Sequence, residues 1–125
     1  MILDASAALA LIHDEPGADV VANAMAESTI GTTNLAEVIG KLVDAQINPA
    51  EVRQLLVAAG VNIEPLTADD AELAGALRSI KGGRQLSLGD RCCLALTIRS
   101  APAIVMTADR AWQKLDLPIE VRLIR

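Results

Sequence analysis

Three features of the chain predict an α/β fold built on a parallel sheet. Short apolar or β-branched runs alternate with longer helical stretches from end to end, the pattern of parallel strands joined by crossover helices. Two of those runs, Met1-Ile2-Leu3 and Ile104-Val105-Met106, are apolar throughout, as strands buried on both faces are. Hydrophobic residues make up 52% of the 125 residues, yet Phe and Tyr are absent and Trp occurs once, so the shared core must be aliphatic.

The elements follow in order. Met1–Leu3 is a strand and Ala5–Ile12 a small Ala/Leu helix. Asp14-Glu15-Pro16 starts a second helix to about Glu27, with proline in the first turn and acids at the positive end of the dipole. Thr29–Thr32 is a β-branched strand, and Asn34 opens a helix to about Gln46. Asn48-Pro49-Ala50-Glu51 caps another helix, which Gly60 stops. Val61–Glu64 is a strand, and Thr67-Ala68-Asp69-Asp70 caps a helix to about Ile80. Gly82-Gly83-Arg84-Gln85 is a flexible loop. Ser87-Leu88-Gly89-Asp90 begins a helix that ends near Ser100, since Pro102 cannot continue it. Ala103–Thr107 is a buried strand, Asp109–Leu115 a short helix and Ile119–Ile124 the last strand. No repeat, linker or low-complexity segment interrupts the series, and residues 1–125 read as one domain.

Composition excludes several classes of function. No apolar run approaches the roughly 20 residues of a membrane span, and the N-terminus enters a strand without a leader pattern; a cytoplasmic protein is expected. His13 is the only histidine, which removes His-based triads and His-rich metal sites. Cys92 and Cys93 are adjacent inside a helical apolar pattern and are expected to be buried thiols. The net charge is −5, but unevenly spread: residues 1–62 hold two basic and eight acidic residues, residues 63–125 nine and eight. Arg78, Lys81, Arg84 and Arg91 surround one glycine-containing loop, with Arg99, Arg110 and Lys114 beyond it. Such a cluster is either a solvated face or a phosphate-binding rim.

Four carboxylates, Asp4, Glu37, Asp90 and Asp109, stand where helices begin. Each has a local explanation. Asp4 and Asp109 suit N-cap or first-turn positions, Asn34 and Glu37 have capping-box spacing, and Ser87-x-x-Asp90 is the related pattern. As a set they point elsewhere. Asp4 and Asp109 follow apolar strands, whose carboxyl ends open onto one edge of a parallel sheet. Carboxylates about 4 Å apart repel by ~4 kcal/mol at an effective dielectric near 20, so a cluster calls for a cation. Oxygen-only ligation suits Mg²⁺ or Mn²⁺, which activate water and stabilise charge on phosphoryl oxygens.

Ile2-Leu3-Asp4-Ala5-Ser6-Ala7, Asn34-Leu35-Ala36-Glu37-Val38, Leu86-Ser87-Leu88-Gly89-Asp90-Arg91 and Met106-Thr107-Ala108-Asp109-Arg110-Ala111-Trp112 resemble the four signatures of PIN-domain ribonucleases. The likeness is greatest to the VapC-type toxins of bacterial toxin–antitoxin modules. It covers essentially the whole chain, including Asp14-Glu15-Pro16-Gly17 and Ile119-Glu120-Val121-Arg122-Leu123. The resemblance implies a three-layer α/β/α sandwich around a mainly parallel sheet. It also implies a metal-dependent endoribonuclease that acts as the toxin of a type II toxin–antitoxin system, with an antitoxin partner and commonly a homodimer.

Carried onto this chain, the resemblance makes Asp4, Glu37, Asp90 and Asp109 the catalytic, Mg²⁺- or Mn²⁺-binding acids. Ser6 and Thr107 become supporting polar groups, and Asn34 an N-cap rather than a site residue. Arg84, Arg91 and Arg110 are the candidates to touch RNA phosphates, although Arg110 also suits pairing with Asp109. Asp116 is read as a surface charge, and Trp112 as packing rather than a base-stacking platform. One alternative is a PIN-like domain that binds RNA or protein without cutting. Another is a phosphoacceptor domain with Asp4 as nucleophile, but Ser6 replaces the second acid of an Asp-x-Asp pattern and no P-loop is present.

Overall fold

The computed structural model describes residues 1–125. Strand β1 (Ile2–Leu3) feeds α1 (Ala5–Ile12) and α2 (Ala18–Ala24), and β2 (Thr29–Gly31) feeds α3 (Thr32–Asp44) and α4 (Pro49–Ala58). Strand β3 (Asn62–Glu64) leads to α5 (Ala68–Ala76) and α6 (Leu88–Arg99). Strand β4 (Ile104–Thr107) passes through a 3-10 turn at Arg110–Lys114 into β5 (Glu120–Leu123). All pairings are parallel and the sheet order is β3-β2-β1-β4-β5. The parallel sheet is the one expected from the alternating pattern, and the three-layer α/β/α arrangement is the one the resemblance implies.

The period-2 alternation of the central strands divides the core. Leu3 pairs in register with Met106, and both pack with Val21, Ile30, Val38 and Leu42 on the face covered by α1 to α4. Ile2 pairs with Val105, and these pack with Leu77, Leu94 and Trp112 on the opposite face. Trp112 is 1% exposed, so it fills the core and offers no ring to a base. Cys92 and Cys93 are buried free thiols, as their helical setting predicts.

Several boundaries differ from expectation. Asp14-Glu15-Pro16 is a turn rather than a helix start. Asp14 adopts φ 52°, Gly17 φ 95°, and α2 begins only at Ala18. A side chain on Gly17 would also meet the Ile124 carbonyl, so the turn is fixed by close approach as well as by φ. Helix α3 starts two residues early, with Gly31 as N-cap, which leaves Asn34 inside the first turn and not at the cap. The Gly82–Gln85 stretch is not a loose loop. Gly83–Gln85 forms a 3-10 turn in which Gly83 is buried against the Leu77 carbonyl.

A buried carboxylate fastens the first turn of α5 to the end of α6. Asp70 is 3% exposed and closes a capping box with Thr67. It also accepts from Arg99 through both oxygens, at 2.7 Å from Nε and 3.0 Å from Nη2. Arg99 hydrogen bonding, with help from Thr67, holds the Asp70 carboxyl below its ordinary value despite burial. Truncation removes a cap and a charged pair together. Asp70→Ala should therefore lower stability by about 2–3 kcal/mol in urea unfolding.

Candidate active site

The strand order sets the carboxyl ends of β1 and β4 side by side. In the series β3-β2-β1-β4-β5 the connections diverge on either side of the β1/β4 pair, the topological switch point where ligands of open parallel sheets bind. Asp4 follows β1 and Thr107 closes β4, so both lie at that crevice. Glu37 comes from α3, which follows β2, the other neighbour of β1. Asp90 comes from the first turn of α6.

Asp4 is 5% exposed and fully engaged. Its Oδ1 accepts the Ala5 N–H at 2.8 Å, and its Oδ2 accepts the Ser6 hydroxyl at 2.6 Å and the Thr107 hydroxyl at 2.9 Å. The Ser6 oxygen in turn accepts Ala108 N–H and the Thr107 oxygen accepts Asp109 N–H, each at 3.0 Å. Both hydroxyls donate to Asp4 Oδ2, and their oxygens lie 3.3 Å apart. Burial raises the Asp4 pKa above its ordinary value, the Ser6 and Thr107 bonds pull it back, and the Asp90 charge raises it again.

Glu37 is half-buried beside Asp90. Asn34 Nδ2 donates to Glu37 Oε2 at 2.9 Å and to the Gly89 carbonyl at 3.2 Å, tying α3 to the first turn of α6. Asn34 is 1% exposed, and its placement in the first turn explains why it tethers an acid instead of capping the helix. Burial raises the Glu37 pKa, Asn34 opposes the rise, and the charges of Asp4 and Asp90 add to it. Gly89 makes this approach feasible. A Cβ there would lie 2.6 Å from Glu37 Oε2 and closer still to Oε1. Sequence reading passed over Gly89, although a glycine in a helical first turn, where Ala would be ~1 kcal/mol better, is itself a sign of close approach.

Asp90 and Asp109 both act as caps. Asp90 Oδ2 accepts Ser87 N–H at 2.9 Å in a complete capping box, and Asp109 Oδ1 accepts Ala111 N–H at 2.9 Å. Capping occupies one oxygen of each; Glu37 Oε1, Asp90 Oδ1 and Asp109 Oδ2 accept no protein hydrogen bond. The Asp90 charge acts on both Asp4 and Glu37, and the Asp4 charge acts on Glu37. All three also help burial push the Cys93 thiol upward behind them. Asp109 stands at the rim. No group of three His, Cys, Asp or Glu side chains is drawn together at metal-holding distance. The donor set nevertheless suits a hard divalent cation, being oxygen-only, carrying three unused carboxylate oxygens and lacking a compensating cation among its hydrogen-bond partners.

The three arginines expected at an RNA rim part ways. Arg84 and Arg110 are exposed, and neither forms an ion pair. Arg91 is 8% exposed, and its Nη1 donates to the Ala74 carbonyl at 2.8 Å. It points from α6 into α5, so it braces two helices and cannot meet a phosphate. Asp116 is exposed, as read from sequence.

Comparison with known proteins bears on the fold and the family. Several solved structures share the fold. A toxin–antitoxin complex from Klebsiella pneumoniae matches at 22% identity and TM-score 0.67, over 86% of this chain and 85% of that one. VapBC2 from Rickettsia felis, bound to a DNA fragment from its promoter, matches at 14% identity and TM-score 0.69, over 98% and 96%. VapBC-5 from Mycobacterium tuberculosis matches at 24% identity and TM-score 0.55, over 99% and 96%. No curated protein matches the chain. The PIN-domain family model aligns with residues 1–117, a span that takes in every strand but the last and every acid of the crevice; the chain belongs to the PIN-domain family.

Proposed function

We propose that the chain is a Mg²⁺- or Mn²⁺-dependent endoribonuclease and acts as the toxin of a type II toxin–antitoxin pair in the cytoplasm. One observation carries the reading: Asp4, Glu37 and Asp90 come from three separate elements beside the β1/β4 crevice, and burial together with neighbouring carboxylate charge raises the pKa of Asp4 and Glu37. Asp4, Glu37 and Asp90 would hold the cation, with Asp109 at the rim. A divalent cation there supplies charge neutralisation for a phosphodiester and lowers the pKa of water. Ser6 and Thr107 fix the orientation of Asp4, and Asn34 that of Glu37, so the acids are ordered before substrate arrives. Hydrolysis adds water across the P–O3′ bond and leaves 5′-phosphate and 3′-hydroxyl ends. Imidazole acid–base chemistry plays no part. His13 terminates α1, about 12 Å along the helix from Asp4.

The test is incubation of the purified chain with single-stranded RNA and Mg²⁺ or Mn²⁺. Cleavage should be abolished by EDTA and should leave 5′-phosphate ends; RNA that stays intact at millimolar metal would overturn the reading. The open spacing of the acids favours a second reading, a PIN domain that binds RNA or protein without cutting. Absence of Mg²⁺ or Mn²⁺ binding at millimolar metal on titration would favour it.

The partners follow from the same likeness, since the structural neighbours are toxin–antitoxin complexes. A groove of about 270 Å³ between α1, α3 and α4 is lined entirely by apolar residues, among them Leu11, Ile12, Leu42, Ile47 and Leu55, the last 69% exposed. It suits the apolar face of an antitoxin helix, and a complex that leaves Leu55 accessible would refute this placement. Exposed Val43 and Val57 add apolar surface for a homodimer, which sedimentation would test. No helix is long and apolar enough to cross a membrane.

A further inference from the structure

The basic residues of the C-terminal half fall into two groups. Arg99 pairs with Glu64 and Asp70, Arg122 with Glu120 and Arg125 with Glu15, while Arg91 is buried against a carbonyl. The other five, Arg78, Lys81, Arg84, Arg110 and Lys114, form no ion pair in a chain with 16 acidic residues. Four of the five line two grooves that meet. Lys81 and Lys114 line one of about 520 Å³ that begins at Asp109, and Arg78 and Arg84 line another of about 370 Å³. Gly82 and Gln85 belong to both walls, so the grooves are continuous across the 3-10 turn at Gly83–Gln85. Asp109 is the only acid in either.

We propose that this track, from Asp109 past Lys81 and Lys114 to Arg78 and Arg84, is the binding path for the single-stranded RNA flanking the cleaved bond. Its charge is opposite to that of the acid cluster at its end. That suits a polyanion with one phosphate at the acids and the next ones on the cations. The floor of the first groove, Leu86 and Leu115 beside Ala111, is aliphatic. Bases can rest there, but the chain's single aromatic is buried elsewhere. Charge pairing with phosphates, not stacking, must therefore dominate, and affinity must fall steeply with salt. Gly83 sets the path. A side chain there would strike the Leu77 carbonyl and move the turn that joins the grooves.

The proposal rests on the nuclease reading but is tested without cleavage, so the two can fail separately. Binding of a labelled single-stranded oligouridylate is measured in EDTA across a salt series. Lys81→Gln with Lys114→Gln should weaken binding and reduce the slope of log affinity against log salt by about 1.4, or ~0.7 for each phosphate no longer neutralised. Arg78→Gln with Arg84→Gln should do the same. Arg53→Gln with Arg122→Gln removes equal charge off the track and should leave the slope unchanged. An unchanged slope in the groove variants, an equal loss in the off-track variant, or a wild-type chain that binds an acidic peptide but no RNA would each overturn the assignment.

Discussion

Asp4→Asn should reduce RNA cleavage by on the order of 10³-fold or more, about 4 kcal/mol of transition-state stabilisation, while the fold persists. Asp4 is the most deeply buried of the four acids. It accepts from Ser6, Thr107 and Ala5, and its charge acts on Glu37. Asparagine keeps the volume and removes the charge. The same substitution should show in the metal-free protein. Asp4 and Glu37 have folded pKa values raised above their ordinary 3.8 and 4.5, chiefly by burial. The folded chain therefore holds protons that the unfolded chain has released, and stability falls as pH rises from the ordinary values through the raised ones. Asp70 works oppositely. Its lowered value gives stability that is present above pH 3.8 and lost as pH falls further. Urea unfolding in EDTA should thus weaken as pH rises above about 4, and Asp4→Asn should flatten that decline. Full cleavage activity in folded Asp4→Asn would remove the acid cluster from the chemistry.

The sheet was legible because its strands announce themselves. Ile2-Leu3 and Val105-Met106 are apolar at consecutive positions, and both prove to be buried on two faces. Strand order was not legible, since β1 pairs with β2 and β4 through contacts far apart in sequence. Without that order, strand-end positions allowed Asp4 and Asp109 to meet, and only resemblance joined Glu37 and Asp90 to them. Capping and site formation then looked like competing explanations for each acid. They are compatible: the caps of Asp90 and Asp109 each use one oxygen and leave the other without a protein partner. Local signals misled at Asn34, whose spacing to Glu37 imitates a capping box although Gly31 takes the cap. They misled again at Arg91, where charge alone does not reveal which face of α6 turns toward α5. Basic character was visible in sequence, but which cations are left unpaired emerges only from the fold.

Gly89→Ala should separate stability from function. Alanine is about 1 kcal/mol better than glycine in a helix, and Gly89 lies in the first turn of α6, so thermal stability should hold or rise. The atoms that the new methyl would meet are the Glu37 carboxylate, the far end of a flexible side chain. It can swing away at little cost, breaking the 2.9 Å bond from Asn34 and leaving Asp90. Displacement of one such group by an ångström or more costs roughly 10²-fold in rate. Cleavage should fall by about that factor, and Mn²⁺ affinity should fall with it. Adding Glu37→Asp shortens the acid by one methylene and withdraws it from the methyl, so the double variant should recover part of what Gly89→Ala loses. A cleavage rate and Mn²⁺ affinity unchanged by Gly89→Ala would show that Glu37 need not lie against α6. Loss of folding would show instead that the glycine serves the helix and not the acid.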